Sequence, residues 1–311
     1  MTCHEQNYII SLNPLLTGIE DLKRESFTTE YGGKVSLHEK NSFFLDKKSV
    51  REDRITEAIR IIDIARKKGA ILRLIGGLAV RNHCEIIDFC ERDYGDIDLV
   101  GLKKHFKKIN DIFKELGYKE NRNVAIATSG QQMQFYKEDL EDHVDVFLDI
   151  FRMEHDVVLK DRLTLEDYTI SISDILITKL QIYTMNEKDL RDILTIVKDV
   201  PLDEEDKSGV INVKYIAQLC AKDWGLYTDI ISNIDKCLNL MQHYNLSSEE
   251  IEQIHNKLAL LKVMIENESK TRRWKLRAKI GKKKAWYRVV EEEGARPVSL
   301  AEELEKRKNK R

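Results

Sequence analysis

The 311 residues are 42% hydrophobic and 34% charged, with a net charge of −2, which supports cores for about two domains at roughly 150 residues each and excludes a disordered chain. No apolar run reaches the roughly 20 residues a membrane helix requires, and the opening MTCHEQNYIISLNP lacks the basic start and apolar stretch of a secretory signal. The five cysteines show no CxxC spacing, which suits reduced thiols in the cytoplasm.

Residues 1–50 carry a possible Gly32-Gly33 turn and no readable role. EDRITEAIRIIDIARKK (52–68) spaces Ile55, Ile59, Ile62 and Ala65 at helical intervals, with acids early, bases late and Gly69 as the stop. ILRLI (71–75) is a short apolar strand. Gly76-Gly77 follows, opening a helix over LAVRNHCEII. RDYGDIDLVG alternates at Asp96, Ile97, Asp98 and Leu99, as a strand does. Residues 103–116 form an amphipathic helix that buries Phe106, Ile109, Ile112, Phe113 and Leu116, stopped by Gly117.

QQMQFYK (131–137) and HVDVFLDIF (143–151) then read as a hairpin with a loop of about five residues. HDVVLK and LEDYTI are further short strand candidates. SDILITKLQIYT and EKDLRDILTIVKD are helices, with Ser173 and Asn186 as candidate caps. Pro201 and DEEDKSG make the best linker. Residues 213–243, 248–267 and 270–293 read as helices, and 299–311 as a charged helix or an unstructured tail. The order predicts an α+β fold, a small mixed β-sheet flanked by helices followed by an all-helical C-terminal domain. The expected division is 1–50, 51–200 and 201–311.

The chemistry concentrates on two strands. On a strand, Asp96 and Asp98 face the same side about 7 Å apart. Carboxylates that close raise each other's proton affinity, a conflict that a hard cation such as Mg²⁺ relieves. The alternative is an exposed strand face that happens to bear two acids. The apolar neighbours Ile97, Leu99 and Val100 argue instead for a core strand, where unpaired acids are costly. HVDVFLD places Asp145 on a second such strand, which makes a three-carboxylate site for two-metal phosphoryl transfer possible; Asp149 is expected at the strand end in solvent. Gly76-Gly77 lets backbone N–H groups approach a phosphate without a Cβ in the way, at a helix N-terminus that favours anions. Lys179 stands in an apolar helix segment and either reaches toward a triphosphate or snorkels at the edge of its face. Lys188, Asp189 and Asp192 are equally readable as an exposed salt-bridged turn.

IGGLAV (75–80), RDYGDIDLV (92–100), VDVFLD (144–149) and TKLQIYTMNEKDLRDI (178–193) together resemble the nucleotidyltransferase superfamily of the DNA polymerase beta type, over about two-fifths of the chain. The resemblance is greatest to small prokaryotic members such as aminoglycoside nucleotidyltransferases and the nucleotidyltransferase-like toxins of abortive-infection systems. Arg92 stands where many relatives place an arginine before the DxD. The resemblance implies that Gly76 and Gly77 cradle the phosphates of a nucleoside triphosphate. Asp96, Asp98 and Asp145 would ligate Mg²⁺ (or Mn²⁺), Asp145 would assist deprotonation of the acceptor hydroxyl, and Lys179 would contact the triphosphate. The implied reaction moves a nucleoside monophosphate to an acceptor hydroxyl of RNA, tRNA, protein or a small molecule. The alternatives are an inactive module of the same fold that binds nucleotide or RNA, or a toxin-antitoxin component.

The charge is uneven. Residues 270–290 carry ten Lys/Arg and no acid, which leaves −12 on the rest. TRRWKLRAKIGKKKAWYR (271–288) interleaves these cations with Trp274, Trp286 and Tyr287, a composition that can hold phosphates and stack bases. Other readings stay open: the aromatics pack on the helical domain while the lysines are solvated, the acidic run Glu291-Glu292-Glu293 neutralises part of the segment, or the patch docks an acidic partner protein.

Overall fold

The computed structural model describes residues 54–84, 96–137 and 143–290, within the compact unit 51–311. Residues 1–50, Arg92, the 138–142 loop and the tail 299–311 lie outside the described residues.

Helix α1 (54–67) buries Ala58, Ile61, Ile62 and Ala65, while Ile55 and Ile59 lie at the edge of that stripe. Gly69 ends the helix in the left-handed region (φ +69°). Ala70 N–H donates to Ala65 C=O at 2.8 Å and Gly69 N–H to Arg66 C=O at 3.0 Å. This pair of bonds satisfies the helix's last carbonyls, and glycine reaches the required φ without a Cβ clash.

A five-stranded mixed sheet follows, ordered β1-β2-β5-β4-β3. Its strands are β1 (Leu72–Leu74), β2 (Ile97–Gly101), β3 (Lys119–Glu120), β4 (Gln132–Tyr136) and β5 (His143–Leu148). Only β2 and β5 run parallel; the other neighbours are antiparallel. Between them stand α2 (Gly76–His83), α3 (Phe106–Glu115) and the short α4 (Arg122–Ala127). Ile109, Ile112 and Phe113 of α3 are buried, and the Phe113 ring stacks on Phe135 of β4 at 3.9 Å. The apolar partners of the alternating strands, among them Leu99, Met133, Phe135, Val144 and Val146, are fully or almost fully buried, so the opposite positions share the other face.

The second long strand is shorter than its sequence suggests. It stops at Leu148 because Asp149 turns left-handed (φ +64°) and its side chain accepts the Lys103 N–H at 3.0 Å. The chain resumes as the hairpin β6 (Ile150–Arg152) with β7 (Asp156–Val158), which accounts for HDVVLK. LEDYTI contributes a single bridge between Thr169 and Leu74.

Helix α5 (Ile172–Leu180) is buried almost all round, and α6 (Glu187–Asp199) packs beside it. The cap of α5 is Ser171 and not Ser173: Ser171 Oγ accepts the Asp174 N–H at 3.2 Å, whereas Ser173 Oγ lies inside the helix and accepts the Asn212 N–H at 2.8 Å. Asn186 caps α6 as expected, in a reciprocal box with Asp189.

The 201–209 segment is tied down. It joins the parallel pair β8 (Leu202–Asp203) and β9 (Ile211–Asn212), Arg162 clasps Asp206 at 2.8 and 3.0 Å, and Glu166 receives Ser208 and Gly209. Helices α7 (Val213–Lys222), α8 (Trp224–Leu240), α9 (Ser248–Asn267) and α10 (Arg272–Ile280) complete the body. The apolar core continues from Ala58 to Ile265 without a break at residue 200. Helix α10 is shorter than the predicted 270–293: Gly281 turns at φ +57° and residues 284–290 form no regular helix. Among the described residues no helix is long and apolar enough to cross a membrane.

Candidate active site

The site grows from the turn between β1 and α2. Ile75 is extended, and its N–H bonds to Asp98 C=O at 3.0 Å, which holds the turn against β2. Gly76 then takes φ +73°, a conformation that costs any residue with a Cβ. A Cβ at Gly76 would stand 2.6 Å from Asp98 Oδ2, inside contact distance. The glycine is therefore needed twice, for its backbone angle and for the space it leaves beside the carboxylate. Gly77 follows in the first turn of α2. No side chain caps this helix and its first turn holds no acid, so its leading N–H groups meet no anion of its own.

The register of the sheet assembles the acids. Asp98 on β2 stands directly opposite Asp145 on β5, and Asp145 opposite Gln134 on β4. Asp96 precedes β2 and is exposed. Because residues two apart share a face, Asp96, Asp98, His143, Asp145, Gln132 and Gln134 all line one side of the sheet.

Asp145 is buried and fully engaged. Gln132 Nε2 and Gln134 Nε2 donate to its Oδ1 at 3.0 and 3.3 Å, and His143 Nε2 lies 2.9 Å from its Oδ2. Among the described residues, Asp98 has no such set of donors. Burial, followed by the charges of Asp145 and Asp96, pushes its carboxyl up to about 7, against the opposing pull of Lys179 and His143. These interactions bring the predicted residues into one electrostatic neighbourhood.

Lys179 enters from α5. Its ammonium is held at 3.1 Å by Asp189 and at 2.9 Å by Asp192, both buried on α6. Asp189 and Asp192 therefore form a buried clamp on Lys179 and not an exposed turn, while Lys188 is exposed. The lysine remains near enough to Asp98 to stabilise its charged form.

Sequence reasoning passed over Gln132, Gln134 and His143. The signal was available in the alternation of QQMQFY, which points two glutamines away from buried Met133 and Phe135, and in a histidine two residues before Asp145. It became meaningful only once β4 was known to lie beside β5.

Among the described residues, no three acid, imidazole or thiol groups converge tightly enough to hold a metal ion as the side chains stand. The Asp145 oxygens are committed to Gln132, Gln134 and His143. The donor chemistry nevertheless suits a hard divalent cation: three carboxylates on one face, beside a space that a Cβ would fill.

The aromatic residues of the basic segment face the protein. Trp274 packs on Tyr227 at 5.2 Å. Trp286 donates from Nε1 to Asp229 at 3.0 Å, and Tyr287 stacks on Tyr183 at 4.1 Å. Arg277 lies over the Trp224 ring at 4.7 Å. Each of these rings is half-buried against a neighbour, as the packed reading expects, and keeps part of its surface exposed.

No family model matches the chain, and no curated protein matches it. Two solved structures are similar at low superposition. One is the lincosamide antibiotic adenylyltransferase LnuA with lincomycin bound, at 19% identity and TM-score 0.32, covering 44% of this chain and 92% of that one. The other is the antibiotic-resistance factor ANT(2″)-Ia, at 11% identity and TM-score 0.29, covering 69% of this chain and 96% of that one.

Proposed function

We propose that this chain is a nucleotidyltransferase that moves a nucleoside monophosphate from a nucleoside triphosphate to an acceptor hydroxyl, releasing pyrophosphate. The observation that carries the reading is the meeting of Gly76 with Asp98, on the sheet face where Asp98 pairs in register with Asp145. A glycine with no Cβ, at an uncapped helix N-terminus, opposite a paired set of carboxylates, suits a metal-bound triphosphate better than it suits a structural turn.

In this proposal the triphosphate sets its phosphates against the first turn of α2 at Gly76 and Gly77. Asp96, Asp98 and Asp145 hold Mg²⁺ or Mn²⁺, which supplies neutralisation of the phosphate oxygens. Asp145, oriented by Gln132 and Gln134, takes the proton of the acceptor hydroxyl. The acceptor oxygen bonds to the α-phosphorus as the bond from that phosphorus to its bridging oxygen breaks, and the electron pair leaves on pyrophosphate. Lys179, fixed by Asp189 and Asp192, adds positive field where negative charge gathers.

The engagement of Asp145 by three side chains favours one competing reading, a module of the same fold that binds nucleotide without transferring it. Calorimetric titration of each of the four nucleoside triphosphates, with and without Mg²⁺, tests the proposal on wild type and Asp98→Ala. The expected result is Mg²⁺-dependent binding of at least one triphosphate, lost in the variant. Binding of none removes both readings. Binding with no pyrophosphate release in the presence of any acceptor would leave the inactive module.

A further inference from the structure

Helix α10 has two unlike faces. Trp274, Arg277 and Ala278 are partly buried and turn inward, with Trp274 on Tyr227 of α8. Arg272, Lys275 and Lys279 stand at i, i+3 and i+7, so they share the outer face, and all three are exposed. Arg273 is exposed beside them, and the turn after the helix adds exposed Lys283 and Lys284. None of these six cations is in an ion pair with a carboxylate of the described residues. Elsewhere the protein spends its cations internally, as at Arg162–Asp174, Lys179–Asp192 and Lys262–Asp235.

The chain that leaves this surface packs beside the end of the helix that carries Lys179. After Lys284, the Trp286 indole bonds to Asp229, which also holds His155 at 2.7 Å. Tyr287 stacks on Tyr183, and Arg288 N–H donates to Glu154 C=O at 3.0 Å. Tyr183 belongs to the short connection between α5, which carries Lys179, and α6, which carries Asp189. The cationic surface is thus fastened to the loop that joins the helix carrying Lys179 to the helix carrying its partners Asp189 and Asp192.

We propose that the outer face of α10 with Lys283 and Lys284 docks the phosphate backbone of a structured RNA, whose terminal hydroxyl is the acceptor. The second half rests on the transfer proposed above; the docking does not. A dense run of exposed cations matches a regularly charged backbone, where each neutralised phosphate releases counterions. The aromatics are already engaged by Tyr227, Tyr183 and Asp229, whereas the cations are exposed, which favours backbone contacts to a duplex over stacking of unpaired bases.

Fluorescence anisotropy of the full chain, without nucleotide or metal, tests the docking with a labelled RNA hairpin. An oligouridylate of equal length, a poly-glutamate peptide and phosphatidylserine-containing vesicles serve as comparators. The hairpin is expected to bind best. Its affinity should fall with salt, and Lys275→Glu, Lys279→Glu, Lys283→Glu and Lys284→Glu together should weaken it at least about tenfold and cut the salt slope by about three to four. The same four positions changed to Gln should give an intermediate loss, and both variants should keep the wild-type melting profile and triphosphate binding. Equal hairpin affinity in the charge-reversed variant, no hairpin binding, or preference for peptide, vesicles or oligouridylate would overturn the docking. Asp98→Ala should keep the hairpin and lose the triphosphate, so the two proposals fail separately. Label from an α-labelled triphosphate should appear on the hairpin; hairpin binding without label would overturn the acceptor assignment alone.

Discussion

Replacing Asp98 by Asn should stabilise the metal-free protein, and increasingly so as pH rises. The Asp98 carboxyl is raised from an ordinary 3.8 to about 7, by burial first and by the charges of Asp145 and Asp96 next. A carboxyl raised in the folded state binds a proton there that the unfolded chain has already lost. Stability is therefore lost as pH climbs from about 4 to about 7, and the whole penalty is present above the folded value. At about 1.4 kcal/mol per pH unit, a shift of roughly three units amounts to about 4 kcal/mol above pH 7. Between pH 5 and pH 8 the difference between Asp98→Asn and wild type should widen by about 2–3 kcal/mol. Urea unfolding of both proteins at the two pH values, in the presence of a chelator, measures it. Adding Mg²⁺ at pH 8 should then restore the wild type and leave the variant unmoved. A constant difference across pH, or an asparagine variant less stable than wild type at pH 8, would refute the account of a carboxylate held in a costly place for a cation.

Two further predictions concern the surroundings of Asp98. Gly76→Ala forces a Cβ into the left-handed region, at a cost of about 1–2 kcal/mol, and within 2.6 Å of Asp98 Oδ2; thermal melting should fall and Mg²⁺-dependent triphosphate binding should be lost, and unchanged binding would detach Gly76 from the site. Gln132→Leu with Gln134→Leu removes both amide donors from Asp145 Oδ1; at about 1.5–3 kcal/mol for each bond to a charged group, transfer should slow by at least about tenfold while triphosphate affinity changes little, and an unaltered rate in single-turnover assays would show that the glutamines only fill space.

The local pattern of this chain showed where most elements form and which residues are candidates for chemistry. Alternation over DIDLV and VDVFL needs no partner to be read, because successive side chains on a strand point to opposite faces whatever lies beside them. Gly69 and Gly117 stop their helices for reasons contained within a few residues, and both take positive φ. Gly76-Gly77 between a strand and a helix was equally visible. The tertiary structure decided what those residues meet. Pairing β2 with β5 sets Asp98 opposite Asp145 and brings β4 alongside, so two unremarked glutamines become the donors to the central carboxylate. Sequence spacing pointed to Ser173 as a cap, whereas Ser171 caps the helix and the Ser173 hydroxyl accepts the N–H of Asn212, far along the chain. The same holds for the basic segment: its composition announced cations and aromatics together, but contacts with Tyr183, Tyr227 and Asp229 took the aromatics inward and left the cations outside. Short-range geometry is written in the order of residues, whereas neighbours across a sheet or between helices follow from the burial of the whole core.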